Sequence, residues 1–411
     1  MATARSIRDA AATALRTLTF DQRMAAGLFA LMALPPLLSS VLGGSYLILV
    51  GERVMIFAIA ALSLELLVGV SGLVSFGHAA FLGVGAYGAG IVASHGLGTL
   101  AIALPAALGA AALFALTTGA IAVRTRGVYF IMITLAFGQM AFFVATSLAP
   151  YGGDDGLTWP TRTLVLGTRI LKSETAFFYT ALALLIGTYV LVDRLIGSRF
   201  GRVLRGLTDN EMRMQAMGFT PYPYRLAAYV IAGTLCGLAG FLLGNQAEFV
   251  SPAYMHWQRS GELIIMVLLG GTGTLYGPIL GTLSFLMLEE TLSRLTEHWK
   301  VILGPLLVLV VLFAKGGIAG AIRAWQGGSM TPAQLIALQA LVARQGMHAA
   351  AHLWCRSRME LRQRSGTLAA SSQRVAGEVA ARWKTYKVVG GRLVVRVLAG
   401  MALAVDRWRR R

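Results

Sequence analysis

Charged residues are scarce in this chain, at 13% of its 411 residues, whereas hydrophobic residues make up 56%. An ordinary soluble globular chain carries about a quarter charged residues. The mean hydropathy of +0.68 points the same way. This composition excludes an ordinary soluble enzyme and predicts a protein that lies in lipid.

Cysteine and catalytic clusters are also missing. The two cysteines, Cys236 and Cys355, are too few for a disulfide framework and lack metal-ligand spacing. The predicted spans show no metal cluster, nucleophile constellation or paired carboxylates, and the tail from about Met330 has no GxxxxGK[ST] phosphate loop. An integral-membrane enzyme is therefore the least favoured function. We expect no fused ATPase and no cofactor bound by this chain.

The net charge of +18 is unevenly spread. Residues 1–314 hold 19 Lys and Arg against 15 Asp and Glu, whereas residues 315–411 hold 17 against 3. The body is nearly balanced, so we expect no nucleic-acid partner. We divide the chain into a basic cytoplasmic arm at 1–23, a transmembrane domain at 24–318 and a basic cytoplasmic tail at 319–411. The arm lacks signal-peptide features, and the tail, partly helical or disordered, suits anionic membrane lipid.

Long apolar runs predict an all-α, polytopic transmembrane helix bundle, since about 20 apolar residues cross the ~30 Å hydrocarbon core. The runs of suitable length lie at roughly 24–42, 53–70, 77–94, 100–122, 127–148, 175–193, 222–244, 262–288 and 301–314. Loops rich in Lys and Arg stay inside. The loop at Arg124 and the segment beginning at Arg199 are therefore predicted inside, and the connection at 95–100, which has neither residue type, outside.

Two glycine-rich stretches interrupt these runs. The first break, GVSGLVSFGHAAF, lies at 69–81 and the second break, GGTGTLYGP, at 270–278. If the basic tail is inside, residues 262–288 must enter and leave the membrane on the same side, as a broken, re-entrant pair. Such interruptions point to a translocation path, although glycines also let helices pack closely. The glycines at 233, 237, 240 and 244 are predicted to form a packing face of that second kind.

One short stretch at 198–219, SRFGRVLRGLTDNEMRMQAMGF, is too polar to cross a membrane. Thr208 and Glu211 have the spacing of a capping box, and Gly218 suits the left-handed position after a helix. We therefore predict a cytoplasmic helix over Asp209–Met217. A lone helix of this length is marginal in water, so either its own membrane domain or a separate protein must hold it.

Four motifs, in order, closely resemble the permease subunits of branched-chain amino acid ABC importers, of the second-permease type. The residues concerned are LSLELLVGVSGLVSFGHAAFLGVGAYGAG (62–90), RGVYFIMITLAFGQM (126–140), GRVLRGLTDNEMRMQAMGFTPYPYRLAAYVIAGTLCGLAGFLLG (201–244) and ELIIMVLLGGTGTLYGPILG (262–281). The resemblance covers about residues 24–318. It implies a bacterial inner-membrane importer for leucine-like, other amino acid, amide or urea substrates, with both termini of this chain cytoplasmic.

The resemblance also implies partners: two cytoplasmic ABC ATPases that hydrolyse ATP with Mg²⁺, a second permease subunit in a heterodimer, and an extracytoplasmic substrate-binding protein. In the family, the loop that holds Glu211 and Gly218 is a coupling helix, here at about 208–218, which docks on the ATPase. The predicted ATPase-coupling residues are Arg202, Arg205, Asp209, Glu211, Arg213 and Gly218. The arginines could instead only satisfy the inside-positive bias.

Polar residues within the apolar spans are candidates for the translocation path, because such groups usually face a bundle interior or a cavity. They are Glu65, Ser75, His78, Tyr129, Thr134 and Gln139. Glu65 stands where the family commonly has a neutral amide-type residue, and His78 could equally be a core imidazole hydrogen-bonded between helices. The alternative function is an ion-coupled secondary transporter in which Glu65 and His78 relay protons.

Overall fold

Helices dominate the part of the chain that the computed structural model describes, namely residues 20–36, 46–159, 162–164, 172–295, 304 and 316–326. The α-helices within these ranges are α1 (Phe20–Met32), α2 (Tyr46–Glu65), α3 (His78–Ser94), α4 (Leu100–Ala122), α5 (Val128–Ser147), α6 (Glu174–Gly197), α7 (Arg199–Asp209), α8 (Glu211–Ala216), α9 (Pro221–Ala247), α10 (Trp257–Gly270), α11 (Tyr276–Leu295) and α12 (Gly317–Gln326). The predicted all-α bundle is confirmed.

Short irregular elements connect the helices. A π-helical turn, Leu66–Val70, extends α2, and 3₁₀ turns occupy Ala149–Tyr151 and Pro252–Met255. Strands β1 (Leu157–Thr158) and β2 (Phe249–Val250) form a two-stranded antiparallel ribbon. This ribbon joins the loop after α5 to the loop after α9.

Five of the described helices are long and apolar enough to cross a membrane. They are Tyr46–Val70, Leu100–Ala122, Val128–Ser147, Glu174–Gly197 and Pro221–Ala247. Five predicted runs are thereby confirmed, and α3 forms a shorter apolar helix within the run at 77–94. Nearly all of the predicted arm, of the run at 301–314 and of the tail lies outside the described residues.

Helices α2 and α9 occupy the centre of the bundle. In each, 72% of the most apolar window is buried, against 22% for α4 and 28% for α5. The glycine stripe of α9 explains the close packing: a Cβ on Gly237 would lie 2.3 Å from Ala111 Cβ of α4, and one on Gly240 would lie 1.9 Å from the Leu82 carbonyl oxygen of α3. The predicted packing face is confirmed, since small residues let backbones approach.

Both predicted breaks are confirmed. The π turn of α2 ends at Val70, Gly72 follows with φ +65°, and α3 begins only at His78. Between α10 and α11, Gly271 (φ +108°) and Gly273 (φ +82°) adopt conformations that disfavour residues with a Cβ. The structure narrows the first break to residues 71–77 and the second break to residues 271–275.

Helices α10 and α11 form the hairpin that the sequence predicts at the second break. Arg53, near the start of α2, pairs with Glu289 of α11 and shares a cavity with Arg259 of α10. The start of α10 and the end of α11 therefore lie on the same side of the helix bundle, the side where α2 begins. Its helices are longer than expected, because they extend beyond the apolar run into polar residues. At 1.5 Å per residue, the 20 residues of α11 span about 30 Å, although α11 is too polar to be among the five apolar helices.

Replacing Gly240 with Ala should destabilise the bundle, because the new Cβ would meet a backbone oxygen that cannot rotate away. Overpacking of this kind costs about 1–3 kcal/mol, so we expect a lower unfolding temperature of the purified protein. Gly187→Ala on α6 is the matched control, since nothing lies within 4 Å of its Cβ position. Equal unfolding temperatures for the two variants would contradict the packing role of the stripe.

Candidate functional site

Residues 198–219 form two helices rather than one. Ser198 caps α7, with its Oγ accepting a hydrogen bond from the Gly201 amide at 3.4 Å. Leu204 and Leu207 are buried on one side of α7, whereas Arg202 and Arg205 are exposed on the other. Helix α7 therefore lies along the membrane domain and presents its arginines outward.

The predicted capping box at Thr208 is wrong. The Thr208 hydroxyl lies in the last turn of α7 and donates to the carbonyl oxygens of Val70 (3.0 Å) and Leu204 (3.1 Å). Asn210 is the cap instead, because its backbone is extended and its Oδ1 accepts from the Arg213 amide at 3.0 Å. Asp209 consequently ends α7 rather than starting the next helix, and α8 begins at Glu211.

The end of α8 is as predicted. Gly218 has φ +90°, its amide donates to Gln215 O at 2.9 Å, and the Phe219 amide donates to Met214 O at 3.1 Å. These bonds satisfy the last carbonyls of the helix, which is the role expected of a left-handed glycine. The sharp turn leaves α8 projecting between α7 and α9.

One face of α8 is exposed. Met212 is 81% and Met217 58% exposed, and Arg213 and Gly218 are exposed as well. The opposite face is anchored by Met214, which is buried against Gly206 of α7. Exposed methionines are adaptable apolar side chains that suit a partner surface. We call Met212, Arg213, Met217 and Gly218, together with Arg202 and Arg205 of α7, the α8 surface.

Glu211 does not point into the α8 surface. Its carboxylate is held by the guanidinium groups of Arg126, in the loop between α4 and α5, and of Arg225, in the first turns of α9. Arg225 Nη2 lies 3.0 Å from Oε2, and Gln215 Nε2 donates to Oε1 at 3.1 Å. We call these two ion pairs the Glu211 clamp.

Within the Glu211 clamp, the pair of Glu211 and Arg225 is largely withdrawn from solvent, with side chains 12% and 10% exposed, whereas the Arg126 side chain is 62% exposed. Ion pairs in such a position are strongly coupled, because removing one partner leaves a charge without compensation. The clamp therefore fixes α8 to two membrane elements at once. Its own membrane domain holds the short helix, one of the two possibilities that the sequence left open.

The four candidates near the first break are buried, and three of them form hydrogen bonds within the chain. Glu65 Oε1 accepts from the Gly273 amide at 2.6 Å, which joins the end of α2 to the second break. Thr134 Oγ1 accepts from the Phe76 amide at 3.2 Å. His78 Nε2 lies 2.8 Å from Ser63 Oγ of α2, as expected of a core imidazole between helices. Ser75 is fully buried beside them.

The other two candidates lie on α5. Tyr129 is 75% exposed, and Gln139 lies in a shallow, open groove along the outer face of the helix, lined only by residues of α5 and by Leu148 directly after it. The remaining walls of this groove are apolar apart from Ser147. The six path candidates therefore divide into a buried group at the first break and two further residues of α5, the exposed Tyr129 and the half-buried Gln139. The structure does not bring the six into one site.

Sequence reasoning missed the contacts of three residues of this region. Arg126 and Arg225 contact Glu211 from 85 and 14 residues away, and Thr208 reaches Val70 across 138 residues. An isolated arginine at the entrance of the apolar helix α9 was the available signal for Arg225. No group of His, Cys, Asp and Glu residues that could hold a metal ion occurs among the described residues.

Comparisons with known proteins agree with this architecture. Residues 23–312 match the family described as branched-chain amino acid transport system, permease component. The high-affinity branched-chain amino acid transport system permease protein LivM of Salmonella typhimurium is 27% identical over 294 residues, which are 66% of this chain and 69% of that protein. LivM of Escherichia coli is 27% identical over 289 residues, 64% of this chain and 68% of that protein.

A second kind of relative matches a shorter part of the chain. The autoinducer 2 import system permease protein LsrC of Yersinia pestis is 27% identical over 241 residues, 55% of this chain and 67% of that protein. No solved structure matches the chain significantly. The family match spans more than half of the chain, includes both breaks and contains the whole Glu211 clamp. The chain belongs to the family of branched-chain amino acid transport permease components, and it is a multi-pass membrane protein.

Proposed function

We propose that this chain is the permease subunit of an ATP-driven importer of branched-chain amino acids in the bacterial inner membrane. The single observation that carries the proposal is the Glu211 clamp, which ties a short exposed helix to the membrane domain. The LivM relatives are named for branched-chain amino acid transport, which supports this cargo. The LsrC relatives are named for another cargo, so the fold alone does not fix the substrate.

The α8 surface is the proposed docking site for a separate ATPase. It combines exposed methionine side chains with the positive charges of Arg202, Arg205 and Arg213. A groove with an apolar floor and an acidic rim would complement it. The ATPase, not this chain, binds ATP and Mg²⁺ and hydrolyses the nucleotide, so this chain has no catalytic residue of its own.

Movement of α8 would reach the membrane domain through three contacts. The Glu211 clamp connects α8 to α9 and to the loop before α5. Thr208 connects the end of α7 to the first break through the Val70 carbonyl. Glu65 then connects the end of α2, which precedes the first break, to the second break. A ligand can shift the balance between two conformations only through contacts that differ between them. We propose that the three contacts just described differ between the outward-open and inward-open states.

The second permease subunit is proposed to cover the outer face of α5. This face exposes Tyr129, Met132, Met140 and Phe143, and Gln139 lies beside them in the groove. A polar amide within an apolar face is expensive against lipid but is satisfied in a helix–helix interface or along a path. The path would therefore run between the two permeases, and the substrate-binding protein would deliver cargo from the outer side.

Both ends of the described chain are proposed to be cytoplasmic. Arg323 of α12 pairs with Asp21 of α1, and Tyr276, which donates to the Ala319 carbonyl, begins α11 directly after the second break. The second break is bonded to Glu65 at the cytoplasmic end of α2. The ends thus lie on the side of the bundle that carries α8.

ATP-driven uptake should be resistant to a protonophore. We expect proteoliposomes containing the chain with its ATPase, second permease and binding protein to accumulate labelled leucine when ATP is inside. Omitting ATP should abolish accumulation, whereas a protonophore with ATP retained should leave it unchanged. Abolition by the protonophore would instead favour the ion-coupled secondary transporter that uses Glu65 and His78.

Met212→Asp should detach the ATPase without affecting the fold. The Met212 side chain is largely exposed, so the substitution introduces a charge only at the docking face, where a desolvated charge is costly. We expect co-purification of the ATPase to fall about ten-fold, equivalent to about 1.4 kcal/mol. Leu97→Asp, at an exposed position in the loop between α3 and α4, is the control for added charge. Equal ATPase recovery with both variants would exclude α8 as the docking site.

Glu211→Gln should uncouple hydrolysis from transport. The substitution leaves the buried Arg225 without its counter-charge, and breaking a buried pair costs about 3–5 kcal/mol. We expect leucine uptake per ATP hydrolysed to fall about ten-fold while the chain still inserts into the membrane. Glu248→Gln, which removes the partner of Arg162 at 3.5 Å in the loop after α9, is the matched control. An unchanged ratio in Glu211→Gln would show that the clamp transmits no movement.

A further inference from the structure

A cavity of about 220 Å³ lies within this chain, on the side of the bundle away from α8. Its walls come from α2, α3, α9, α10 and the 3₁₀ turn before α10. The lining residues are Arg53, Phe57, Ala79, Leu82, Leu243, Tyr254, Arg259 and Leu263. None of the residues predicted for coupling or for the path is among them.

Two charged pairs stand at this cavity. Arg53 Nη2 lies 3.6 Å from Glu289 Oε1 of α11, and Arg259 Nη1 lies 2.7 Å from Glu262 Oε2 within α10. Both arginines line the cavity. Each guanidinium has five N–H donors, more than one carboxylate contact uses. The cavity therefore offers positive groups, with carboxylates beside them.

The rest of the lining is apolar or aromatic. Phe57, Leu82, Leu243 and Leu263 provide hydrocarbon and ring surface, and Tyr254 is the one other polar side chain in the lining. A ligand that matches these walls has a carboxylate and an ammonium group close together, and a short aliphatic chain. Pockets for drug-sized ligands have volumes of about 300–1,000 Å³. This cavity is smaller, which favours a ligand the size of a single amino acid.

The position of the cavity connects it to the first break. Arg53 precedes Glu65 by 12 residues of helix, which is about 18 Å at 1.5 Å per residue. Ala79, at the inner end of the lining, directly follows His78, and its amide donates to Ser260 Oγ at 3.0 Å. The cavity thus extends from the outer part of α2 to the point where α3 begins.

We propose that this cavity binds a free amino acid with an aliphatic side chain, and that it does so within this single chain. Arg53 and Arg259 would bind the α-carboxylate, Glu262 and Glu289 the α-ammonium group, and the apolar walls the side chain. The inference rests on the proposed function, since it assigns a site to that cargo. It adds a substrate-binding site on the outer side of the helix bundle, separate from the path between the two permeases.

The test is equilibrium binding of labelled L-leucine to the full chain in nanodiscs of phosphatidylcholine. We expect saturable binding of labelled leucine. Two analogues should compete with it only weakly: L-leucinamide, which lacks the carboxylate, and 4-methylpentanoate, which lacks the ammonium group. Arg53→Gln and Arg259→Gln should each weaken binding about ten-fold, as expected when a charge-assisted hydrogen bond is lost. Arg294→Gln is the matched control, because Arg294 pairs with Glu290 at 3.1 Å on α11 and does not line the cavity.

A charge exchange separates recognition from folding. The double variant Arg259→Glu with Glu262→Arg keeps the net charge and an ion pair of the same spacing, so its unfolding temperature should equal that of the unmodified protein. Its leucine binding should nevertheless be lost, because the carboxylate-binding group is misplaced. Retained binding in this variant, or in both single arginine variants, would overturn the proposal, as would the absence of saturable leucine binding to the unmodified chain.

Two further measurements distinguish other outcomes. Phosphatidylethanolamine carries an ammonium group and a phosphate, so leucine binding that disappears in nanodiscs of that lipid would assign the cavity to a headgroup and overturn the proposal. ATP-driven leucine uptake by the assembled importer is measured in parallel. If uptake is normal in both arginine variants, the cavity proposal fails while the proposed function stands.

Discussion

Backbone groups that leave a helix at membrane depth need hydrogen-bond partners, because hydrocarbon provides none. The first break meets this requirement with its own chain and its neighbours: the Leu73 amide donates to Leu67 O at 2.9 Å, and the Phe76 amide to Thr134 Oγ1. The second break uses the Glu65 carboxylate for the Gly273 amide. The hydrogen bonds that satisfy the irregular backbone therefore also connect helices that are distant in sequence.

This requirement explains how a short exposed helix can be joined to the interior of the bundle. The Thr208 hydroxyl satisfies the Val70 carbonyl at the end of the π turn, so the first break is completed by a residue just before α8. The Glu211 clamp adds a second attachment at α9. A displacement of α8 that broke these bonds would leave a buried charge and a backbone carbonyl unsatisfied, at about 1–3 kcal/mol or more each. A concerted movement of α8, α9 and the first break therefore costs less free energy than separating α8 from the other two.

Much of the fold was predictable because it depends on local composition. Long apolar runs, clusters of arginine and glycines between runs each act over a few residues, and the helices, breaks and packing stripe followed from them. The cap of α8 was not predictable, because Thr208 and Asn210 are both good caps and a contact with Val70, 138 residues away, decides between them. The Glu211 clamp was hidden for the same reason, since Arg126 lies 85 residues from its partner and no periodicity connects the two.

The carboxylate at Glu65 is the departure from the family pattern that the sequence could not explain. The neutral amide that the resemblance leads us to expect at this position also presents a carbonyl oxygen that accepts hydrogen bonds. The bond from Gly273 to Glu65 Oε1 needs only such an acceptor. Glu65 and the usual amide can therefore hold the second break in the same way, and His78 is bonded separately to Ser63. Glu65 Oε1 and His78 Nε2 thus have bonds within the chain, whereas Glu65 Oε2 and His78 Nδ1 are buried without a hydrogen-bond partner among the described residues. The two bonds therefore account for the orientation of these side chains, but not for the burial of every polar atom in them.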